Sequence, residues 1–274
     1  MKFISDQAKE LLLSSKNNFL KNKPYPFIII DNFLEKEIAN ICNKNFSEIE
    51  NGWISYKHYN QNKRGNQTYI KQNYLISELT KYLNSKAFID ILCVLTNYKK
   101  LKGDNSLDGG GLHETKKGGY LNIHTDFQNH TNYPNLQRKI NLLLYFDNDL
   151  QNMKNANLEL WDKSCSKMAQ SIEPIYNRCV IFSTENPSFH GHPKPLITHK
   201  NNSRKSLALY YYFDANKELP IISTNYKSVP TDKFLKKLII RLDNFAVNTY
   251  SKLKRKKIIN DELFTKILKK LGLD

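Results

Sequence analysis

Gly118-Gly119-Tyr120-Leu121-Asn122-Ile123-His124-Thr125-Asp126-Phe127 is the stretch on which the reading of this chain turns. A Gly-Gly turn signal leads into a run that suits a β-strand. Side chains in a strand repeat on one face every second residue, so His124 and Asp126 point the same way. Alone, His-x-Asp carries little weight, because a chain with 7 histidines produces one easily. The surrounding sequence gives it context. From Gly109 onward, short β-type segments alternate with turn signals at Asp147-Asn148-Asp149, Asn155-Ala156-Asn157, Glu173-Pro174 and Asn186-Pro187. Many short strands at that spacing predict an all-β sandwich or barrel. Ile140-Asn141-Leu142-Leu143-Leu144-Tyr145-Phe146 is the strongest of them. Its near-continuous apolarity predicts burial on both faces, although periodicity alone leaves a helical fragment open there.

Two later segments add chemistry. His190 stands in Ser188-Phe189-His190-Gly191-His192-Pro193, and Arg204 heads the strand-like Arg204-Lys205-Ser206-Leu207-Ala208-Leu209-Tyr210. Two histidines and one carboxylate form the ligand set that holds non-haem Fe(II) on one face and leaves positions open. Arg204 shares its strand face with Ser206, Ala208 and Tyr210, and suits paired bonding to a dicarboxylate such as 2-oxoglutarate. The bland reading is a core histidine beside a turn aspartate, plus a strand-end arginine in a basic protein. The ordered set weighs against it. His192, two residues past His190, lines a pocket in this reading and is not needed as a ligand.

Toward the N-terminus, residues 1–23 read as a polar amphipathic lead-in. Pro24-Tyr25-Pro26-Phe27-Ile28-Ile29-Ile30-Asp31 suits a buried strand, and Asp31 or Asn32 is expected to cap a helix carrying Leu34, Ile38, Ile41 and Cys42. Residues 51–73 look like a long loop or irregular hairpin. Their Trp53, Tyr56, His58, Tyr59, Arg64 and Tyr69 are candidates for a substrate-facing lid, since loops on a rigid barrel set specificity. Tyr120 joins them as a candidate pocket residue. A second helical stretch is expected over about 75–96. After Pro230 two apolar stripes follow, Phe234, Leu235, Leu238, Ile239, Leu242 and Phe245, then Ile259, Leu263, Ile267, Leu268 and Leu271. They predict a helical hairpin docked on the core.

With 274 residues, 40% hydrophobic and 12% aromatic, the chain is able to bury one large core. No apolar run approaches the roughly 18 residues of a bilayer span, and the N-terminus lacks a secretory apolar region, so a cytoplasmic location is expected. Cys42, Cys93, Cys165 and Cys179 have no zinc or CxxC spacing. The net charge of +16 raises nucleic acid as a partner, but a basic surface is non-specific evidence and no base-stacking motif is evident. Residues 226–274 hold 13 Lys and Arg against 5 Asp and Glu, which reads as a solvated basic face rather than a membrane contact.

These residues together resemble an Fe(II)/2-oxoglutarate-dependent dioxygenase of the prolyl 4-hydroxylase-like group. The carriers run from the entry strand at 26–31, through Gly109-Gly110-Gly111-Leu112-His113, residues 118–127, the strand at 140–146, Leu158-Glu159-Leu160-Trp161 and Val180-Ile181-Phe182, to His190-Gly191-His192-Pro193 and Arg204-Lys205-Ser206-Leu207. The resemblance implies an α+β chain with a mainly β core, a double-stranded β-helix or jelly roll at about 107–214. N-terminal helices flank it within a domain of 1–225, and 226–274 is a basic helical extension. It implies iron on His124, Asp126 and His190, and 2-oxoglutarate on Arg204, with Ser206 as an added contact. O2 is the oxidant, and ascorbate is a candidate reductant. The implied reaction is hydroxylation of a C–H bond in a peptidyl proline, amino acid or sugar-containing metabolite, with release of succinate and CO2. Two departures from the family pattern stand out. Asn155 and Asn157 replace a Gly-Gly turn, which Asn tolerates. His113 lies where relatives carry a co-substrate tyrosine, and is either its replacement or a structural residue. Two alternatives remain: an idle jelly-roll module that binds an acidic partner, and a nucleic-acid-modifying oxygenase.

Overall fold

The computed structural model describes residues 1–147, 149–185, 187–199, 202–255 and 258. The lead-in forms two helices, α1 (Asp6–Ser14) and α2 (Lys16–Lys21), the first capped by Ser5 Oγ on the Ala8 N–H at 3.1 Å. The entry strand is β1 (Phe27–Ile30), an edge strand whose Ile29 faces out. Its expected cap is absent. Asp31 pairs with Arg178, Asn32 takes a left-handed φ of 52°, and α3 (Lys36–Ser47) begins only after them. Leu34 therefore precedes the helix, and Ile41 is exposed while Ile38, Ala39, Cys42 and Phe46 are buried.

Residues 51–73 fold as the irregular hairpin β2 (Ile54–His58) and β3 (Gln61–Asn66), followed by α4 (Thr68–Gln72). The stretch expected as one helix over 75–96 is two, α5 (Tyr74–Leu83) and α6 (Lys86–Thr96). Ser85 breaks it, because its Oγ caps the Phe88 N–H and starts a new helix there.

The core strands are β4 (Gly111–Thr115), β5 (Tyr120–Thr125), β6 (Leu136–Tyr145), β7 (Leu158–Trp161), β8 (Met168–Ile172), β9 (Cys179–Ser183), β10 (His190–His192) and β11 (Arg204–Asp214). They pair antiparallel in the order β1-β9-β6-β11-β4-β3-β5-β10-β7-β8. The ends of this ribbon curl onto each other. Phe27 of β1, Tyr145 of β6 and Val180 and Phe182 of β9 pack against Leu158, Leu160 and Ile172 of β7 and β8. The opposite faces of β6, β9 and β11, with Ile140, Leu142, Leu144, Ile181, Leu207 and Leu209, join the helices in the largest apolar cluster. Alternation thus buries β6 on both sides, as its composition predicts. The result is the jelly roll, a mainly β core flanked by helices.

One irregularity matters for the site. Between β6 and β11 the register slips, so that Tyr211 opposes Ile140 but Tyr212 opposes Arg138. The extra residue, Lys139, resets the alternation and turns Arg138 inward beside Asn141.

The extension does not separate cleanly at residue 225. β12 (Asn225–Tyr226) pairs with β5, Tyr226 opposite His124. Helix α7 (Phe234–Arg255) then docks through Ile240, which is buried. The stripe expected to pack on the core is the exposed one. Phe234, Leu235, Leu238, Leu242 and Phe245 all face solvent. The second expected stripe, 259–271, lies outside the described residues.

Candidate active site

Pairing between β5 and β10 sets His190 directly opposite His124, with ring centroids 4.5 Å apart. Asp126 follows just past the end of β5. Its Oδ1 lies 3.5 Å from His124 Nε2 and its Oδ2 lies 3.4 Å from His190 Nε2. The orientation of both rings is set by backbone. His124 Nδ1 sits 2.9 Å from the Asn122 carbonyl oxygen, and His190 Nδ1 sits 2.9 Å from that of Ser188. A carbonyl only accepts, so each Nδ1 carries the proton and each Nε2 turns its lone pair to the common point.

Asp126 is held at Oδ2. Asn141 Nδ2 donates to its Oδ2 at 2.8 Å, and Arg138 approaches at 3.2 Å while donating to Asn141 Oδ1. The Arg138 guanidinium is fully buried and lies over Tyr210, 3.2 Å from its ring centroid. Burial pushes the Asp126 carboxyl up, but Arg138 and the two histidines overcome this and hold it well below the ordinary range. Burial, against the pull of Asp126, lowers His190 to about 4. His113 and His192 are likewise held well below the usual histidine value, by burial and then by Lys63 and Arg204. At neutral pH the cavity therefore holds an ionised Asp126 beside neutral His113, His190 and His192.

Arg204 enters from β11. Its Nε donates to the Ala156 carbonyl at 2.8 Å and its Nη2 to Tyr145 Oη at 3.0 Å, both buried bonds. Ala156 is placed by Asn155, whose φ of 65° makes the turn that the sequence assigned to asparagine. Arg204, Ser206, His113 and His192 line the same cavity as His124, Asp126 and His190. His113 on β4 stands opposite Ser206 on β11.

The lid candidates divide by strand parity. Of them Tyr56 lines the cavity mouth, together with Gln61, Lys63, Phe127, Thr224 and Tyr226. Arg64, one residue on from Lys63, points away to pair with Glu114 and cover Trp53 at 4.2 Å. Trp53 packs beside Phe46, Tyr69 Oη donates to the Asn45 carbonyl, and Tyr120 Oη donates to that of Tyr59. Trp53, Arg64, Tyr69 and Tyr120 therefore stand outside the cavity lining. Lys63, Arg138, Asn141 and Tyr226 went unread in the sequence. Lys63 and Arg138 look like ordinary strand cations there, and only pairing and the bulge reveal that they turn inward. Burial, opposed by Asp126 and helped by Arg204 and Arg138, lowers Lys63 to about 8.

Residues 110–212 match a family model described as the 2OG-Fe(II) oxygenase superfamily. The matched stretch runs from the start of β4 into β11 and includes His124, Asp126, His190 and Arg204. Iron(II) and 2-oxoglutarate are the cofactors of that family. No curated protein sequence matches the chain. Among solved structures, a prolyl-4-hydroxylase from Pseudomonas putida is similar at 11% identity and TM-score 0.49, over 74% of this chain and 98% of that one. A Trichoplax adhaerens prolyl hydroxylase, solved with a hypoxia inducible factor peptide fragment, is 18% identical at TM-score 0.45, over 76% and 91%. HygX of Streptomyces hygroscopicus, with nickel and 2-oxoglutarate bound, is 7% identical at TM-score 0.48, over 73% and 86%.

Proposed function

We propose that His124, Asp126 and His190 hold iron(II) in this oxygenase, and that Arg204 anchors 2-oxoglutarate with help from Ser206 and His113. One observation carries the reading: two imidazole nitrogens and a carboxylate oxygen converge within 4.8 Å of one another in a buried site. The donor set fits the metal. Both rings offer an Nε2 lone pair and Asp126 is ionised, which is the protonation state a divalent cation requires. When bound, iron and 2-oxoglutarate supply the oxidising chemistry with O2, and the co-substrate leaves as succinate and CO2.

The chain's own groups bind and orient. Arg138 and Asn141 both fix the Asp126 carboxylate at Oδ2, which leaves Oδ1 toward His124. Arg204 spends two of its five N–H groups on Ala156 and Tyr145, which leaves three for a carboxylate. Tyr226 closes the cavity beside His124, ring centroids 5.5 Å apart.

The reaction we favour is hydroxylation of a C–H bond in a peptidyl proline, an amino acid or a sugar-containing metabolite, in the cytoplasm. Lys63 favours substrates that carry a carboxylate or phosphate near the reacting carbon. It faces the cavity and makes no ion pair among the described residues. The convergence of three donor groups in one buried site favours this reading over the idle-module alternative. The test is an anaerobic Fe(II) titration followed by succinate release from 2-oxoglutarate. His124→Ala and His190→Ala should each remove most iron affinity while the native circular dichroism is retained. Intact iron stoichiometry in either variant would sink the ligand assignment for that residue.

A further inference from the structure

Helix α7 turns its apolar stripe outward. Phe234, Leu238, Leu242 and Phe245 recur at steps of four, four and three, so they share one helix face, with Leu235 beside them. Their exposure runs from 43% at Leu238 to 82% at Phe234. The opposite face does the docking. Ile240 is buried, the Asp243 carboxylate takes His58 Nδ1 at 2.9 Å and Asn60 Nδ2 at 2.5 Å, and Asn244 bonds the Tyr226 backbone twice. A contiguous outward patch of large apolar side chains marks an interaction site.

Charge decides what covers it. From Phe234 to Leu253 the helix holds one carboxylate, Asp243, and that carboxylate is turned inward. Lys236 is engaged with Asp232 at 2.6 Å. Arg241 and Lys252 on the stripe side, and the half-buried Lys237 at its edge, remain with no ion-pair partner among the described residues, so the outward half is apolar and cationic without an acid. A second copy of the chain on this stripe would set these cations against each other in a molecule of net charge +16. The matching environment is an apolar layer beneath a sheet of negative charge. We propose that the outer face of α7 lies in the interface of an anionic lipid bilayer, with Phe234, Leu238, Leu242 and Phe245 among the upper acyl chains and Lys237, Arg241 and Lys252 at the phosphates. The contact is peripheral, since no helix among the described residues is long and apolar enough to cross a membrane. It reverses the solvated reading of the basic tail, because the face that docks on the core is the polar one.

The test is co-sedimentation of the full-length protein with vesicles of phosphatidylcholine, with and without phosphatidylserine. The protein should bind the phosphatidylserine vesicles, bind pure phosphatidylcholine weakly, and detach as salt is raised. Leu242→Gln with Phe245→Gln should weaken binding about a hundredfold through lost apolar burial. Lys237→Gln, Arg241→Gln and Lys252→Gln together should do so about a hundredfold through lost charge. Both variants should keep the native circular dichroism and thermal melt, because the altered side chains pack on no core residue. Failure of the full-length protein to bind phosphatidylserine vesicles overturns the proposal, and so does equal binding to both compositions. A dimer in sedimentation equilibrium that Leu242→Gln with Phe245→Gln dissolves would assign the face to a second copy instead. A monomer that ignores both vesicles would assign it to the chain's own residues 259–274, and equally overturns the bilayer.

Discussion

The barrel interior and helix α7 invert the usual distribution of polarity in opposite ways. Inside the jelly roll, Asp126, Arg138 and Arg204 are withdrawn from water and Lys63 is half-withdrawn, while on α7 Phe234, Leu242 and Phe245 stand in it. Burying a charge costs several kcal/mol unless it is paired, and exposing a large apolar side chain forgoes about 1.5–3 kcal/mol of burial. Both regions therefore forgo stability, and such departures concentrate where a protein acts. The interior resolves its cost at Asp126 by pairing with Arg138, and at Arg204 by hydrogen bonds to the Ala156 carbonyl and Tyr145. On the helix, no described residue covers the stripe, and the bilayer proposed above is what would resolve its cost.

The largest effect expected is at Asp126. Asp126→Ala should abolish iron binding and also cost about 3–5 kcal/mol in denaturant unfolding, because Arg138 is left as an unpaired buried cation. Adding Arg138→Met should recover part of that stability without restoring iron. A single variant as stable as the parent would break the claim that the charge is balanced internally. Arg204→Ala should weaken 2-oxoglutarate by roughly 30- to several-thousand-fold, or about 2–5 kcal/mol, while leaving iron affinity largely intact. An unchanged 2-oxoglutarate affinity in uncoupled turnover would move the anchor to His113 or Lys63.

Acid should loosen the interior before the carboxylates titrate. His113, His190 and His192 are held neutral in the fold, His190 down to about 4, while an unfolded histidine takes up a proton near pH 6.5. Between those values the unfolded chain binds more protons, so stability falls as pH drops from about 6.5 toward 4. Urea unfolding of the metal-free protein should show a loss of a few kcal/mol across that window, and flat stability there would contradict the burial assigned to these rings. Asn244→Ala should cost about 1–3 kcal/mol and slow turnover, since both bonds that seat Tyr226 are lost. The smallest effect sharpens the contrast most. Leu238→Ser should change stability by no more than about 0.5 kcal/mol, whereas Ile240→Ala, two residues along the same helix, should cost about 2 kcal/mol or more.

Where the sequence was legible, one local rule sufficed. Two-residue alternation placed Arg204, Ser206 and Tyr210 on the inner face of β11, and the apolarity of 140–146 gave a strand buried on both sides. His124, Asp126 and His190 were read together and stand together. What stayed hidden depends on partners distant in sequence. Arg138 faces inward only because Lys139 bulges against β11, and Lys63 rather than Arg64 faces the cavity because β3 pairs with β4 and β5 in one register. The α7 stripe misled for a related reason. Periodicity identifies an apolar face, but not which face a neighbour covers, and here the polar bonds of Asp243 and Asn244 fixed the opposite one.

His124 and His190 are each aimed by the carbonyl of the residue two places earlier in the chain. A carbonyl is present whatever side chain its residue carries, so the instruction that points both rings inward is written in main chain alone. Substitution at Asn122 or Ser188 therefore cannot erase it, and only a change that shifts the β5–β10 pairing can. Under mutational drift, the aim of the two rings is among the last features of this site that sequence change would alter.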